Sequence, residues 1–286
     1  MAGAKIMSLL GGSVEVVMHD VEEPLADDYF LEIKAEGMRL QRIFDFYDPK
    51  SELSLLNGKR RLKVSDEMVE VVGKGLMYAQ ETGGRYDISI GRRIIARKQG
   101  KLLPDVSCSY RDVEVDGNSI SLTHPDVLLD LGSIAKGYIG DKIVEFMKRR
   151  GVESGFVDAR GDMRTYGSHP ERVVVQHPRD KSRTLRPMLL RNLAVATSGD
   201  YVQYHGSFDK SHIIGDTDFI SVTVVAKELA DADAIATCVF VLGSSEAGKF
   251  LSKRKDIKVY AIDRGMGEHA YNEFRSLLLA GAKNAF

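Results

Sequence analysis

VLLDLGSIAKG, residues 127–137, reads as a short strand, a turn at Gly132 and a helix opening at Ile134. A strand–turn–helix junction presents backbone N–H groups and the positive end of a helix dipole, which suits an anion. Lys136, one turn in, adds a positive charge. Asp130, at the end of the strand, can accept hydrogen bonds from a ligand or fold back on the turn. The plainer alternative is a capped junction with Lys136 on the surface. The stretch holds neither the GxGxxG of a Rossmann turn nor the GxxxxGK[ST] of a P-loop. It therefore does not announce a doubly wound nucleotide fold, and the elements around it have to decide the architecture.

Upstream, residues 25–47 carry Phe30, Ile33, Leu40, Ile43, Phe44 and Tyr47 at helical spacing, stopped by Asp48-Pro49. A second helix starts at the N-cap Ser65, buries Met68, Val71, Val72, Leu76 and Ala79, and ends at Gly83-Gly84. Val113 and Val115, then Ile120 and Leu122, alternate around Asp116-Gly117 as a hairpin. Downstream, a helix runs from Ile134 to Arg150. Strand-like runs follow at 155–157, 172–176, 193–196 and 220–225. A helix over 229–242, a shorter one after Ser244 and a strand at 259–262 complete the chain. Ser13–Val17 adds an early strand. Strands come in groups and helices singly, without βαβ alternation. This predicts an α+β fold with mixed, largely antiparallel sheets covered by helices. With no linker or repeat, residues 1–286 read as one domain or as two closely packed subdomains.

Bulk properties exclude several function classes. With 43% hydrophobic and 28% charged residues the chain has the makings of a globular core. A net charge of -1 gives no basic footprint for nucleic acid. The clusters at Arg92-Arg93, Lys148–Arg150 and Lys253–Lys255 read as solvated helix faces or ends. Cys108 and Cys238 lie far apart and form no CxxC, against a zinc or disulfide framework. No secretory signal or run near 18 apolar residues is evident, so a cytoplasmic location is the expectation.

Five further segments could carry chemistry. In ADADAIATCVFVLG (230–243), Asp233 and Thr237 are four apart and share a helix face. A carboxylate and a hydroxyl are hard oxygen ligands suited to Mg²⁺, which keeps waters and substrate phosphates for its other positions. Alternatively, Asp231 or Asp233 caps the helix and Thr237 bonds back to its own backbone. In SHIIG (211–215), His212 is a candidate general base, or an ordinary exposed histidine. In TGGRYDIS (82–89), the glycines could admit a planar ligand against Tyr86, or simply stop a helix beside a core tyrosine. VATSGDY (195–201) and DARGDMRTYG (158–167) read as tight polar turns between strands; Ser198 lies outside any GxSxG elbow.

Taken in order, FYDPKSELSLLN (46–57), TGGRYD (82–87), LDLGSIAKGY (129–138), ARGDMRTYG (159–167), VATSGDY (195–201), HII (212–214) and ADADAIAT with FVLG (230–243) resemble one family. This is the ApbE-like FAD:protein FMN transferases, and the resemblance runs from about Gly11 to about Gly243. It implies an ApbE-like, T-fold-like architecture and a Mg²⁺-dependent transferase. Such an enzyme moves the FMN half of FAD onto a threonine or serine hydroxyl of an acceptor protein and releases AMP. The alternatives are FAD hydrolysis to FMN and AMP, or flavin binding without catalysis. By the same resemblance, Asp130 and Lys136 contact FAD, and Ser133 (through its carbonyl), Asp233 and Thr237 hold the metal. His212 activates the acceptor hydroxyl. Tyr47, Asn57, Arg85, Tyr86, Asp87 and Ile213 fall at flavin or adenine positions. The implied partners are FAD and the acceptor protein, with homodimerisation open. The sequence departs from the family in a shortened loop after His212 and in Arg160, which stands where glycine is usual.

Overall fold

The computed structural model describes residues 3–180, 182–184, 187–200 and 217–279. His212 and Ile213 lie outside the described residues. In chain order the elements are β1 (Gly3–Leu9), β2 (Gly12–Met18), α1 (Glu23–Phe44), α2 (Glu52–Lys59), β3 (Arg61–Lys63), α3 (Asp66–Glu81), α4 (Gly91–Lys98), β4 (Val113–Asp116) and β5 (Ser119–Leu122). They continue as α5 (Ala135–Arg149), β6 (Gly155–Ala159), β7 (Asp162–Tyr166), β8 (Glu171–Val173), β9 (Met188–Leu190), β10 (Ala194–Gly199), β11 (Phe219–Ala226), α6 (Leu229–Leu251), β12 (Lys258–Asp263) and β13 (Glu268–Tyr271).

Among the described residues, eight strands form one sheet in the order β1-β2-β6-β7-β10-β11-β12-β13. Every neighbouring pair in it is antiparallel. Val14 and Val16 of β2, Val157 of β6, Ala194 and Ala196 of β10 and Val222 and Val224 of β11 join one large core with the helices. The opposite face carries a smaller core of Val195, Ile220, Val225, Tyr260 and Ile262 under the β8–β9 hairpin and Phe274. Buried on both faces, β11 is apolar almost throughout rather than alternating. The α+β expectation holds.

The helices form where their sequence caps them. Ser65 accepts a hydrogen bond from Met68 N at 3.2 Å and opens α3. Gly83 and Gly84, both at positive φ, close it. The helix expected to reach Tyr47 ends at Phe44. The Asp45 carboxylate accepts from Tyr47 N (2.9 Å) and Asp48 N (3.3 Å), so a side chain competes with the helix for those donors. Hairpin β4–β5 turns on Gly117-Asn118, because Asp116 pairs with Ser119.

Two other expectations are corrected. Residues 127–129 are not a strand; a single bridge pairs Leu128 with Ile90. Their donors go elsewhere: Leu128 N to Ser89 O and Leu129 N to the Asn57 side chain. VATSGDY is not a turn between strands but mostly β10 itself, paired with β11 as far as Gly199. Its polar side chains are satisfied sideways, Thr197 on Thr223 (2.9 Å) and Ser198 on Thr237 (3.2 Å).

Helix α6 is long and apolar enough to cross a membrane by length and composition. Yet 67% of its apolar window is buried inside this fold, which makes it a core helix. Gly243, at φ 68, breaks its regular geometry, and Asp218 accepts from Ser244 N (2.9 Å) to start the second segment. That matches the separate short helix expected after Ser244.

Candidate functional site

Helices α5 and α6 meet at a glycine. A Cβ on Gly137 would lie 2.4 Å from the Leu229 carbonyl oxygen, so only glycine lets the two backbones approach this closely. The contact is bonded at both ends. Gly137 N donates to Asp233 Oδ2 at 3.1 Å. Asp141, one turn further along α5, accepts from Leu229 N (2.9 Å) and Ala230 N (2.8 Å) and thereby caps α6 from outside. Burial pushes the Asp141 carboxyl up to about 6, although those two N–H donors and Arg164 oppose the shift. Neither Asp231 nor Asp233 caps α6. Asp231 instead holds Lys74 (2.6 Å) and Tyr78 (2.8 Å).

This packing sets Asp233 and Thr237 on the wall of a cavity of about 700 Å³, the size range of small-molecule and cofactor sites. The same cavity is lined by Asp130 and Ser133 from the junction before α5 and by Lys136 from its first turn. Lys136 forms ion pairs with Asp162 and with Asp233, the latter at 3.4 Å. Asp162 is buried and also accepts from Thr197 N at 3.0 Å. Sequence reasoning left Asp162 without a role. Its one signal was its place at the end of the ARGD segment, since no spacing rule connects it to Lys136.

Four of the N–H groups at the junction, expected to await an anion, are engaged within the protein. Gly132 N donates to Asp130 Oδ1 (2.8 Å), Ile134 N and Ala135 N to Leu131 O (3.1 and 2.8 Å), and Gly137 N to Asp233. The helix therefore opens at Ala135 rather than Ile134. Positive charge at this wall comes from the Lys136 side chain and from Lys98, 3.7 Å from Asp130.

The remaining residues divide between cavity and support. Tyr47 is 73% exposed at the cavity rim, with the Lys98 ammonium 5.9 Å from its ring centre. Arg85 reaches the same cavity and pairs with Glu246 at 2.7 Å. Tyr86 is almost wholly buried on the wall, its hydroxyl bonded to Ser133 Oγ at 2.9 Å. Burial holds that phenol well above its usual range. Asp87 also lines the cavity, but its carboxylate is engaged by Ser89 and Tyr110 N, and burial raises its pKa. Asn57 does not line it. Its amide donates to Leu129 O (3.0 Å) and accepts from Leu129 N (2.8 Å), which fixes the approach to Asp130. Ile90, Ile94, Ile139, Val241 and Phe44 give the cavity apolar walls for a planar ring.

The donor set fits a hard cation. Asp233 and Thr237 offer a carboxylate and a hydroxyl one turn apart on one wall. Among the described residues no three His, Cys, Asp or Glu side chains gather to hold a metal. A cation here would take its other oxygens from water, backbone or substrate, as Mg²⁺ does.

Known proteins resemble this chain in both sequence and fold. An FAD:protein FMN transferase of Vibrio cholerae is 27% identical over 295 residues, covering 90% of this chain and 88% of the relative. One of Escherichia coli K12 is 26% identical over 257 residues, covering 78% and 73%. Flavin transferase ApbE from Vibrio cholerae superposes with a TM-score of 0.83 at 23% identity, covering 97% of this chain and 99% of that one. The apo flavinyl transferase ApbE of Pseudomonas stutzeri gives a TM-score of 0.83 at 21% identity, covering 99% and 98%. The ApbE family profile itself matches residues 10–261, and this chain belongs to the ApbE family.

Proposed function

We propose that the protein is a Mg²⁺-dependent FAD:protein FMN transferase. The observation that carries the proposal is the convergence of Asp130, Ser133, Lys136, Asp233 and Thr237 on one cavity that also has an apolar surface of Phe44, Ile90, Ile94, Ile139 and Val241. A dinucleotide with a planar ring and a charged pyrophosphate needs both surfaces. Asp233, Thr237 and the Ser133 carbonyl would hold Mg²⁺, which would neutralise pyrophosphate charge as the anhydride breaks.

Lys136 supplies a second positive charge beside the phosphates, aimed by Asp162 and Asp233. The acceptor's hydroxyl oxygen attacks the phosphorus of the FMN half. A new phosphoester P–O bond forms, the phosphoanhydride P–O bond breaks, and AMP leaves. His212 would take the proton of that hydroxyl as general base. The acceptor is a protein presenting a threonine or serine.

The test is product stoichiometry with FAD and Mg²⁺, with and without an acceptor. Transfer predicts AMP release that depends on the acceptor and little free FMN. Equal FMN and AMP without acceptor would identify a pyrophosphatase, and FAD left intact would identify a binding protein. We also place the protein in the cytoplasm, supported by the buried free thiols of Cys108 and Cys238. Its recovery in a periplasmic or membrane fraction would overturn that placement.

A further inference from the structure

Arg160 sits in a backbone conformation that suits glycine. It and Gly161 form the two-residue turn between Ala159 and Asp162, at φ 64 and 93. Left-handed backbone is unfavourable for a residue with a Cβ. The side chain is nonetheless held in a definite place. Its Nη1 donates to Leu10 O at 2.8 Å, and its stem crosses Gly12, where a Cβ would lie 2.7 Å from Nε.

From there Arg160 lines the main cavity. The other cations on that lining each face an acid. Arg85 pairs with Glu246, Lys98 lies near Asp130, and Lys136 stands between Asp162 and Asp233. Among the described residues, Arg160 has a carbonyl and no carboxylate. A guanidinium carries five N–H donors in a rigid fork, and one bond to Leu10 leaves the others for a ligand.

We propose that Arg160 is an anion-recognising residue of this cavity, donating to a phosphate oxygen of the bound nucleotide. It thereby sets the preference for a charged dinucleotide over an uncharged flavin. The inference rests on the flavin-nucleotide reading of the same cavity.

The test is equilibrium binding of FAD, ADP and riboflavin to the full chain and to R160G, R160K and G12A. Glycine suits the turn, so R160G keeps the wild-type Tm. Losing one charge-assisted bond should weaken FAD and ADP about tenfold in R160G while leaving riboflavin unchanged. The salt dependence of FAD binding should become shallower. R160K should fall between, keeping the charge without the fork. G12A should reproduce part of the loss by displacing the stem with no change in charge. Unchanged FAD and ADP affinity in R160G overturns the proposal, and so does an equal loss for riboflavin, which would mark a structural role. If the wild type takes up neither FAD nor ADP, the flavin reading of the cavity fails, and this inference with it.

Discussion

Lys136 faces two carboxylates, Asp162 and Asp233, and one ammonium against two acids leaves negative charge at the wall. That surplus favours a divalent cation beside Asp233 and Thr237. Once a pyrophosphate arrives, a cation held there and the lysine would together offset its charge. Asp233→Ala should lower metal-dependent turnover by more than about a hundredfold, because even indirect partners of a metal cost 10- to 100-fold. Lys136 keeps Asp162, so the variant should fold, losing the second ion pair of Lys136 and the acceptor for Gly137 N, the latter about 1 kcal/mol. Activity assays at limiting Mg²⁺ alongside urea unfolding check both halves; wild-type activity at limiting Mg²⁺ would falsify the metal assignment. Helical spacing put Asp233 and Thr237 on one face but left a structural reading of them and of Lys136 open, and only the order of the motifs along the chain singled them out. Asp162 was not, since its partners lie 26 and 35 residues away in the chain (136 to 162, and 162 to 197) and only folding brings them together.

At the scale of elements, the site depends on how closely α5 approaches α6. Gly137→Ala would drive a Cβ into the Leu229 carbonyl, a backbone atom that cannot swing aside. We expect a loss of roughly 1–3 kcal/mol in urea unfolding, with FAD affinity falling as well, because Asp233 moves with α6. The cap on α6 adds a pH dependence. The Asp141 carboxyl titrates near 6 in the folded protein against 3.8 for the free group. Between those values the folded state binds more protons than the unfolded state, so this group's contribution to stability rises as pH falls. The advantage of wild type over Asp141→Asn should therefore grow from pH 7 to pH 4, by on the order of 2 kcal/mol. Urea unfolding of both proteins across that range checks the sign; a shrinking advantage would contradict it. Long elements were legible from periodicity, and their ends less so. Asp45 ends α1 early through local side-chain bonds, and the donors of Leu128 and Leu129 go to Ser89 and Asn57 rather than to a ladder.

Across the whole molecule, the antiparallel sheet and its covering helices gather residues from Leu10 to Val241 around one cavity. The grouping of strands announced an α+β fold, but their order did not follow from it. β2 pairs with β6 across more than a hundred residues, and no local pattern encodes such a partner. The same geometry explains why single motifs were ambiguous and their order along the chain was not, since each of the six motifs within the described residues supplies part of the wall. Arg160 belongs to this scale too, because on our proposal it fits the shared cavity to a charged nucleotide. The most direct measurement is intact mass spectrometry of an acceptor protein after incubation with this enzyme, FAD and Mg²⁺. The account predicts one added FMN, less water, on a single threonine or serine, with one AMP released per modification and no addition when Mg²⁺ is chelated. An unmodified acceptor with FAD left intact, or with FMN and AMP released in equal amounts, would contradict it.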